Sequence, residues 1–355
     1  MAPLGAADQR FIRSIFPVID PLRYSGSPRE VGSALAKALG RLPMPAVQST
    51  DIGFARACRD AAIELNPVLS SLYEGFLAGG GWDPDQFLAY FFARRQGMLR
   101  GCTNFAATGE VTSDGDTLVG RNYDWAYSDL PYCEARAIDI QDALSFVSYT
   151  HHWIGHPDCL NEAGLFVAIS SLPAAEASHP GIQWNLLVDA IAMSCRSVEE
   201  AVVLLEKANH LRSITYLLAD DSDAAAVEAT CDRVTVRPAV GGIAIATNHA
   251  VGFPDGSDRA RHSIARYDRA ESRLRSMSPS IDELDVIDLL RDPVCTIRDG
   301  KRFLHELDHV PLAALEDWGT IWSTVCRPSQ AELMIARGHP DDAPYEPVRW
   351  LTNPL

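Results

Sequence analysis

Two short segments, Gly101-Cys102-Thr103-Asn104-Phe105 and Gly120-Arg121-Asn122-Tyr123-Asp124-Trp125, decide how this chain folds around its most distinctive cysteine. Between them, Ser113-Asp114-Gly115-Asp116 separates two runs of strand-like composition, at residues 105–112 and 117–123. Asp-Gly between two such runs is a strong hairpin signal. The two segments are therefore predicted to lie on neighbouring antiparallel strands, with Cys102 beginning the first.

Cys102 follows a glycine, which leaves the preceding peptide uncrowded. A thiol in this position can attack the carbonyl carbon of Gly101 and form a thioester, which water can open. The freed α-amine has a reference pKa of ~7.7–8.0 and can act as the base for its own thiol, so that no histidine is needed. The sequence thus predicts a cut between Gly101 and Cys102. Residues 1–101 would form a helical leader that stays associated, and residues 102–355 a catalytic domain.

A cysteine with its own amine as base still needs nearby charge and donors for an oxyanion. On a strand, Asn122 and Asp124 share one face, and Arg121 and Tyr123 share the other. We expect Asp124 to accept a hydrogen bond from the α-ammonium, and Arg121 to stabilise a thiolate or a substrate carboxylate. The competing interpretation is a hairpin strand that ends in surface charges.

The overall composition excludes several classes of partner. Asp and Glu number 47 against 31 Lys and Arg, giving a formal charge of −16, which argues against nucleic acid and anionic membranes. The sequence has no apolar run of about 18 residues and no signal-peptide core, so we expect a cytoplasmic protein. Its 8 cysteines are scattered without a C-x-x-C pair, which predicts reduced thiols rather than a zinc site.

The order of periodic segments predicts the fold class. Helical spacing of apolar residues occurs at residues 32–42, 52–78 and 84–99 of the leader, and again at 184–208, 262–275 and 287–290. Strand patterns begin after Gly101 and return at 319–325 and 332–336. Because strands follow one another without a helix between every pair, the prediction is an α+β fold with mostly antiparallel sheets covered by helices.

The cysteine, the Asp-Gly turn and Gly-Arg-Asn-Tyr-Asp together resemble the N-terminal nucleophile (Ntn) hydrolases of the choloylglycine hydrolase and penicillin V acylase group. The leader and the Gly-Cys junction are more similar to the acyl-CoA:6-aminopenicillanic acid acyltransferase branch, peptidase family C45. The resemblance covers roughly residues 50–340. Its further motifs, in family order, are Asn161-Glu162-Ala163-Gly164-Leu165, Ala246-Thr247-Asn248-His249, Ser263-Ile264-Ala265-Arg266-Tyr267-Asp268-Arg269 and Thr320-Ile321-Trp322-Ser323-Thr324-Val325.

This resemblance implies a four-layer αββα sandwich and an enzyme that cleaves a small N-acyl or aminoacyl amide without a cofactor. It implies that Asn248 donates to the oxyanion and that an arginine closes the site. Arg266 is preferred over Arg269 for that role. Asn161, Tyr123 and Trp125 are further candidates to line the site, although core packing explains the two aromatic residues equally well.

Other functions stay open at this point. The same acyl-enzyme could pass its acyl group to an amine, which would make the protein an acyltransferase. An unprocessed hydrolase could pair Cys102 with His249, and a binding protein could have kept the scaffold without the cut. His151, His152 and His156 lie close in sequence but have no helically spaced partner, so no metal site is predicted. Whether the protein is a monomer or a homo-oligomer is also open.

Overall fold

Fourteen strands form two sheets in the part of the chain that the computed structural model describes, residues 17–39, 52–92, 101–152, 154–173, 177–253, 261–300 and 317–350. The strands, in chain order, are β1 (Leu22–Gly26), β2 (Cys102–Ala107), β3 (Leu118–Ala126), β4 (Glu134–Ile140), β5 (Phe146–Thr150), β6 (Asp158–Asn161), β7 (Phe166–Ser171), β8 (Ile214–Ala219), β9 (Ala224–Ala229), β10 (Val234–Pro238), β11 (Ile243–Ala246), β12 (Trp318–Arg327), β13 (Glu332–Arg337) and β14 (Tyr345–Pro347).

The eight-stranded sheet has the order β1-β4-β5-β6-β7-β8-β9-β10, and the six-stranded sheet has the order β11-β2-β3-β12-β13-β14. Every neighbouring pair within these sheets is antiparallel except β1 with β4. The mostly antiparallel arrangement predicted from the sequence is confirmed.

The helices fall into three groups along the chain, which strands separate. They are α1 (Pro28–Leu39), α2 (Ile52–Leu65), α3 (Pro67–Gly80), α4 (Pro84–Phe91), α5 (Trp184–Ser194), α6 (Val198–Lys207), α7 (Arg261–Met277) and α8 (Glu283–Arg291). Short 3₁₀ turns follow β3 at Tyr127–Tyr132 and β12 at Pro328–Gln330. No described helix is long and apolar enough to cross a membrane.

Three hydrophobic layers show how the elements stack. Helices α1 to α6 pack on the outer face of the eight-stranded sheet, α7 and α8 pack on the outer face of the six-stranded sheet, and a central layer joins the two sheets. Strand β7 illustrates the alternation: Val167 and Ile169 face the helices, while Phe166 and Ala168 face the other sheet. The resulting α-β-β-α order confirms the four-layer sandwich.

The leader differs from its prediction in two ways. The helix expected over residues 52–78 is broken into α2 and α3 at Pro67, which lacks the N–H that a continuous helix needs. Asn66 caps the new helix, and its side chain accepts a hydrogen bond from the Val68 N–H. The leader is also not purely helical, because β1 joins the eight-stranded sheet beside β4. The predicted helical residues 93–99 lie outside the described residues.

A buried arginine connects the two sheets near the start of β2. The Arg121 side chain is fully buried, and its Nε lies 2.8 Å from Oδ2 of Asp158 on β6. Its Nη1 donates to Asn104 Oδ1 and to the Ile169 carbonyl oxygen, each at 2.8 Å. A buried charge is tolerated when it is paired and hydrogen-bonded. Here Asp158 pairs the charge and Nη1 makes two hydrogen bonds, whereas Nη2 has no hydrogen-bond partner among the described residues. The ion pair therefore joins the two sheets in a buried position where loss of one partner would leave the other charge uncompensated.

Replacing Arg121 by methionine should destabilise the protein by about 3–5 kcal/mol, because the Asp158 carboxylate would remain buried without its partner. Urea unfolding of the Cys102→Ala chain with and without Arg121→Met measures the change. Arg56→Met is the matched control, since it breaks an exposed ion pair to Asp85 and should cost less than about 1 kcal/mol. Equal effects of the two substitutions would refute the structural role of Arg121.

Candidate active site

The peptide bond between Gly101 and Cys102 is held from both sides. The Cys102 N–H donates to Asn248 Oδ1 at 2.7 Å, and Arg266 Nη1 donates to the Cys102 carbonyl oxygen. On the other side, the Asp124 N–H donates to the Gly101 carbonyl oxygen at 3.0 Å. These contacts fix the orientation of the whole peptide unit next to the Cys102 thiol.

The space at Gly101 admits no side chain. A Cβ atom there would lie 2.2 Å from Cη2 of Trp318 and 3.0 Å from Oδ2 of Asp124. Trp318 is fully buried, so its ring has little room to move aside. Glycine is thus required before Cys102 by local packing, and not only by flexibility.

Asn248 joins four parts of the chain through its amide. Its Oδ1 accepts from Cys102 N and from Arg266 Nη2, both at 2.7 Å, while its Nδ2 donates to the Ser171 carbonyl oxygen at 3.0 Å. The backbone N–H of Asn248 donates to Ser263 Oγ at 2.7 Å. Because Oδ1 meets two N–H donors, this amide orientation is the chemically consistent one. The predicted oxyanion role of Nδ2 stays a prediction, since Nδ2 is engaged at the end of β7.

Of the two candidate arginines, Arg266 is the one that reaches Cys102. It is buried, and besides Cys102 and Asn248 its Nη1 donates to Thr103 Oγ1 at 3.1 Å. Arg269 has a half-exposed side chain that pairs with Asp292 at 3.4 Å. A spacing of three residues leaves the two side chains about 60° apart around the helix axis, which is enough to give them different surroundings.

A β-bulge in β12 shapes the far side of the site. Thr320 pairs with Asp124 and Trp322 pairs with Tyr123, so that Ile321 is the extra residue. Without it, residues 320 and 322 would lie on the same face of the strand. The bulge lets Thr320 Oγ1 donate to Asp124 Oδ1 at 2.6 Å while the Trp322 ring stacks on Tyr123.

Burial shifts the ionisation of both reactive groups. It raises the pKa of the Asp124 carboxyl to about 7, against the opposing effects of Arg266, Thr320 and Arg121. Asp124 Oδ2 has no hydrogen-bond partner among the described residues. Burial also raises the pKa of the Cys102 thiol to about 11, although Arg121 lowers it. The Cys102 thiol is therefore neutral at pH 7.

Three sequence candidates lie in different surroundings from those expected. The Arg121 guanidinium already has a protein carboxylate, that of Asp158, which occupies the place predicted for a substrate carboxylate. Asn161 donates from Nδ2 to the carbonyl oxygens of Ala192 and Cys195 at 3.0 and 2.7 Å, which makes it a turn residue that anchors α5. The Nδ1 of His249 lies 2.9 Å from Ser263 Oγ.

Some of the contacting residues carried no signal in the sequence. Ser171 and Asp158 lie on strands of the eight-stranded sheet. Ser171 contacts Asn248, which follows β11, and Asp158 contacts Arg121 on β3 of the other sheet. Thr320 and Ser263 do fall inside motifs that pointed to the site, but their partners could not be assigned from spacing.

An aromatic and histidine cluster lies beside Cys102 at one end of the central layer. Tyr123 is directly opposite Cys102 in the β2–β3 pairing, and its hydroxyl lies 3.2 Å from Nε2 of His151 and 3.2 Å from Nε2 of His152. Trp125 stacks against Tyr123 with the ring centroids 6.0 Å apart and is partly exposed. Both predicted aromatic residues thus lie on the strand next to the one that begins with Cys102.

One group in the described part of the chain has the composition of a cation site. Ligand atoms of His156, Cys159 and Asp189 lie within 4.8 Å of one another, and all three residues are buried. Nitrogen, sulfur and carboxylate oxygen suit zinc, but His156 Nδ1 is already 2.6 Å from Asp189 Oδ1. This set differs from the three neighbouring histidines considered from the sequence.

Comparison with known proteins gives a family. A family model described as acyl-coenzyme A:6-aminopenicillanic acid acyl-transferase matches residues 111–311, which confirms the resemblance inferred from the motifs. No curated protein matches the chain.

Solved structures resemble the chain in part. They include penicillin V acylase from Agrobacterium tumefaciens, with 15% identity over 66% of this chain and 83% of that chain and a TM-score of 0.49. The N-acylethanolamine-hydrolyzing acid amidase ortholog of Caenorhabditis elegans has 14% identity over 64% of this chain and 93% of that chain, with a TM-score of 0.44. A variant of conjugated bile acid hydrolase from Clostridium perfringens has 15% identity over 66% of this chain and 89% of that chain, with a TM-score of 0.48.

The raised pKa of Asp124 predicts a stability change with pH. Because the folded-state pKa of about 7 lies above the ordinary 3.8, protonated Asp124 favours the folded state below pH 4, and this contribution is lost as pH rises to 7. In the Cys102→Ala chain, the free energy of unfolding should fall by about 2–3 kcal/mol more between pH 5 and 8 with Asp124 than with Asp124→Asn. Urea unfolding at a series of pH values measures the difference.

The matched control for this pH series is Asp232→Asn in the same Cys102→Ala chain. Asp232 has an exposed side chain, so its removal should leave the pH profile of the parent unchanged. Superimposable profiles of the parent and of Asp124→Asn would contradict the prediction.

Proposed function

We propose that this chain, which belongs to the acyl-coenzyme A:6-aminopenicillanic acid acyl-transferase family, cuts itself between Gly101 and Cys102 and then cleaves a small amide through a thioester on Cys102. Family membership makes it an amide hydrolase or acyltransferase. The finer proposal rests on two hydrogen bonds that hold the Gly101–Cys102 peptide, one from the Asp124 N–H and one to Asn248 Oδ1.

The self-cleavage step follows from these two hydrogen bonds. The Cys102 sulfur attacks the carbonyl carbon of Gly101, and the negative charge that develops on the carbonyl oxygen meets the Asp124 N–H, 3.0 Å from that oxygen in the uncut chain. The C–N bond then breaks, and the thiol proton ends on the departing nitrogen. Water adds to the thioester and releases the Gly101 carboxylate and the Cys102 thiol.

The new α-amine would form where partners already exist. Asn248 Oδ1 accepts from the same nitrogen at 2.7 Å before the cut. Asp124 Oδ2, which has no hydrogen-bond partner among the described residues, lies beside Gly101 and gains an ammonium partner once the chain is open. A positive charge there lowers the pKa of both Asp124 and the Cys102 thiol. Burial disfavours the ionised forms of Asp124 and Cys102 in the uncut chain. The cut would therefore favour both the Asp124 carboxylate and the Cys102 thiolate.

In the catalytic cycle the α-amine takes the Cys102 proton as the sulfur attacks the amide carbonyl of the substrate. The resulting ammonium protonates the leaving amine, and a thioester remains on the sulfur. Water, activated by the amine, then releases the carboxylic acid. An amine in place of water would complete an acyl transfer by the same route.

Freshly purified protein should consist of two chains, residues 1–101 and 102–355, as measured by denaturing electrophoresis, intact mass and N-terminal sequencing. Cys102→Ala should stay a single chain because it has no nucleophile, and Cys102→Ser should be cut more slowly. Cys326→Ala, at another buried thiol, is the matched control and should be cut like the parent. A single uncut chain that is active would overturn the proposal, and so would cutting of Cys102→Ala at this bond.

Gly101→Ala should slow the cut at least about tenfold, because the added methyl group collides with the Trp318 ring and displaces the peptide from Asp124. Trp318→Phe in the same chain removes the atoms that collide and should restore part of the rate. The time course of cutting, followed by electrophoresis after synthesis in vitro, measures both effects. An unchanged rate in Gly101→Ala would show that the position of this peptide does not matter.

The substrate side of the proposal is tested with cut enzyme and a panel of small N-acyl amides, read by mass spectrometry. We expect acid and amine products from some members, and a thioester on Cys102 in acid-quenched samples. Adding a competing amine distinguishes transfer from hydrolysis, because transfer gives a new amide. Correctly cut protein that hydrolyses or transfers no amide would favour a binding role.

A further inference from the structure

Four polar side chains form a series of hydrogen bonds, called here the hydrogen-bonded chain, that leads from the surface to the neighbourhood of Cys102. They are Asp129, His151, Tyr123 and His152. Trp125 Nε1 and His151 Nδ1 lie 2.6 and 3.3 Å from Oδ2 of Asp129, which is partly exposed. His151 Nε2 lies 3.2 Å from the Tyr123 hydroxyl, which is also 3.2 Å from Nε2 of His152. The order is therefore Asp129, His151, Tyr123, His152.

The chain is fixed in place at the end of the central layer that holds the thiol. Tyr123 is opposite Cys102 and stacks on Trp322 with centroids 3.9 Å apart and an interplanar angle of 9°. His151 and His152 follow β5 of the other sheet. The phenol therefore bridges the two sheets, and its hydroxyl cannot leave the histidines without breaking the stack.

The number of protons fixes the direction of every bond in the chain. With neutral His151, Nδ1–H donates to the Asp129 carboxylate, so Nε2 must accept from the Tyr123 O–H. The phenol oxygen then accepts from His152 Nε2–H. His152 Nδ1 is left without a proton and acts as an acceptor.

Protonation of His151 reverses this direction. Both nitrogens of the imidazolium donate, so Nε2–H points at the phenol oxygen, and the Tyr123 O–H must turn to His152 Nε2. His152 then carries its proton on Nδ1, which becomes a donor. Burial and the nearby positive groups hold the pKa of His152 well below its usual range, so His152 stays neutral in both states.

We propose that His152 Nδ1 contacts the substrate, and that the protonation state of His151 decides whether this atom accepts or donates a hydrogen bond. This inference rests on the proposed amide chemistry of Cys102. His152 is partly exposed, and no described residue bonds to its Nδ1. The substrate class is an amide that carries a hydroxyl group within reach of His152, because a hydroxyl can satisfy Nδ1 in either state.

Other charged and titratable groups around the two histidines come from several elements and act on both states. They are Arg121 and Tyr123 on β3, Asp129 in the 3₁₀ turn, Cys133 just after that turn, Glu134 and Arg136 on β4, Cys102 on β2, Asp158 on β6, and His156 in the segment after β5. The hydrogen bonds of Asp129 to His151 and Trp125 lower the pKa of Asp129, so Asp129 is a carboxylate in both protonation states of His151.

Long-range proton–nitrogen NMR of histidine-labelled Cys102→Ala protein tests the switch without catalysis. In spectra recorded between pH 8 and 5, His152 should change from Nε2–H to Nδ1–H while staying neutral, at the same step at which His151 becomes an imidazolium. Tyr123→Phe keeps the ring but removes the link, so His152 should then keep one tautomer. Tyr132→Phe, at an exposed tyrosine, is the control and should behave like the parent. A single His152 tautomer across the range, or an imidazolium at His152, overturns the proposal.

Substrate contact is tested with cut enzyme and two amides that differ only in a hydroxyl or a methyl ether. At pH 8 only the hydroxyl can donate to Nδ1, whereas at pH 5.5 either oxygen can accept from it. We divide kcat/KM for the hydroxyl amide by kcat/KM for the methyl ether amide. This ratio should fall about fivefold from pH 8 to pH 5.5 in the parent and stay constant in Tyr123→Phe. A constant ratio in the parent overturns substrate contact while leaving the amide function in place. If the cut enzyme hydrolyses neither of these amides and no member of the panel, the result counts against the proposed amide function instead.

Discussion

The side-chain amide of Asn248 is the interaction on which the site depends. It fastens the start of β2 to the end of β7, the end of β11 and helix α7, with hydrogen bonds of 2.7 to 3.0 Å. An amide can do this because it offers an acceptor and a donor at opposite edges of one planar group. A carboxylate or an amine would satisfy only one side, so the geometry around Cys102 requires this residue type.

The second constraint is the burial of charge in the layer between the sheets. Arg121 and Asp158 neutralise each other there, and the arginine still lowers the pKa of the neighbouring thiol. A charge that is already paired within the protein is held at a fixed distance from Cys102, which a flexible surface residue could not achieve. In this way one ion pair serves both sheet packing and the electrostatics of the site.

Burial has opposite consequences before and after the proposed cut. In the uncut chain it disfavours the ionised forms of both Cys102 and Asp124, and one oxygen of Asp124 has no hydrogen-bond partner among the described residues. An ammonium group formed between them would reverse that balance without any rearrangement of the sheets. The same pocket that keeps the precursor thiol neutral would then favour its reaction with a substrate.

Much of the fold followed from local patterns. The antiparallel pairing of β2 with β3 depends on neighbouring residues, so the pattern around the Asp-Gly turn was enough to predict it. Strand β2 nevertheless ends at Ala107 rather than at the predicted residue 112. The break at Pro67 was visible in the sequence, but the apolar spacing on either side outweighed it in the prediction. Strands β1, β4, β6 and β14 were missed because they are short or lie between segments with stronger patterns.

For the site, the sequence by itself singled out Cys102 as the proposed nucleophile, the glycine before it, and Arg266 as the favoured arginine, because these belong to compact motifs. Only the tertiary structure decided that Arg121 pairs with Asp158, that Asn161 belongs to a turn, and that Trp318 crowds Gly101. Such contacts join residues far apart in the chain, and their partners are set by how two sheets stack. The periodicity of a strand tells which face a side chain takes, but not what lies across from it.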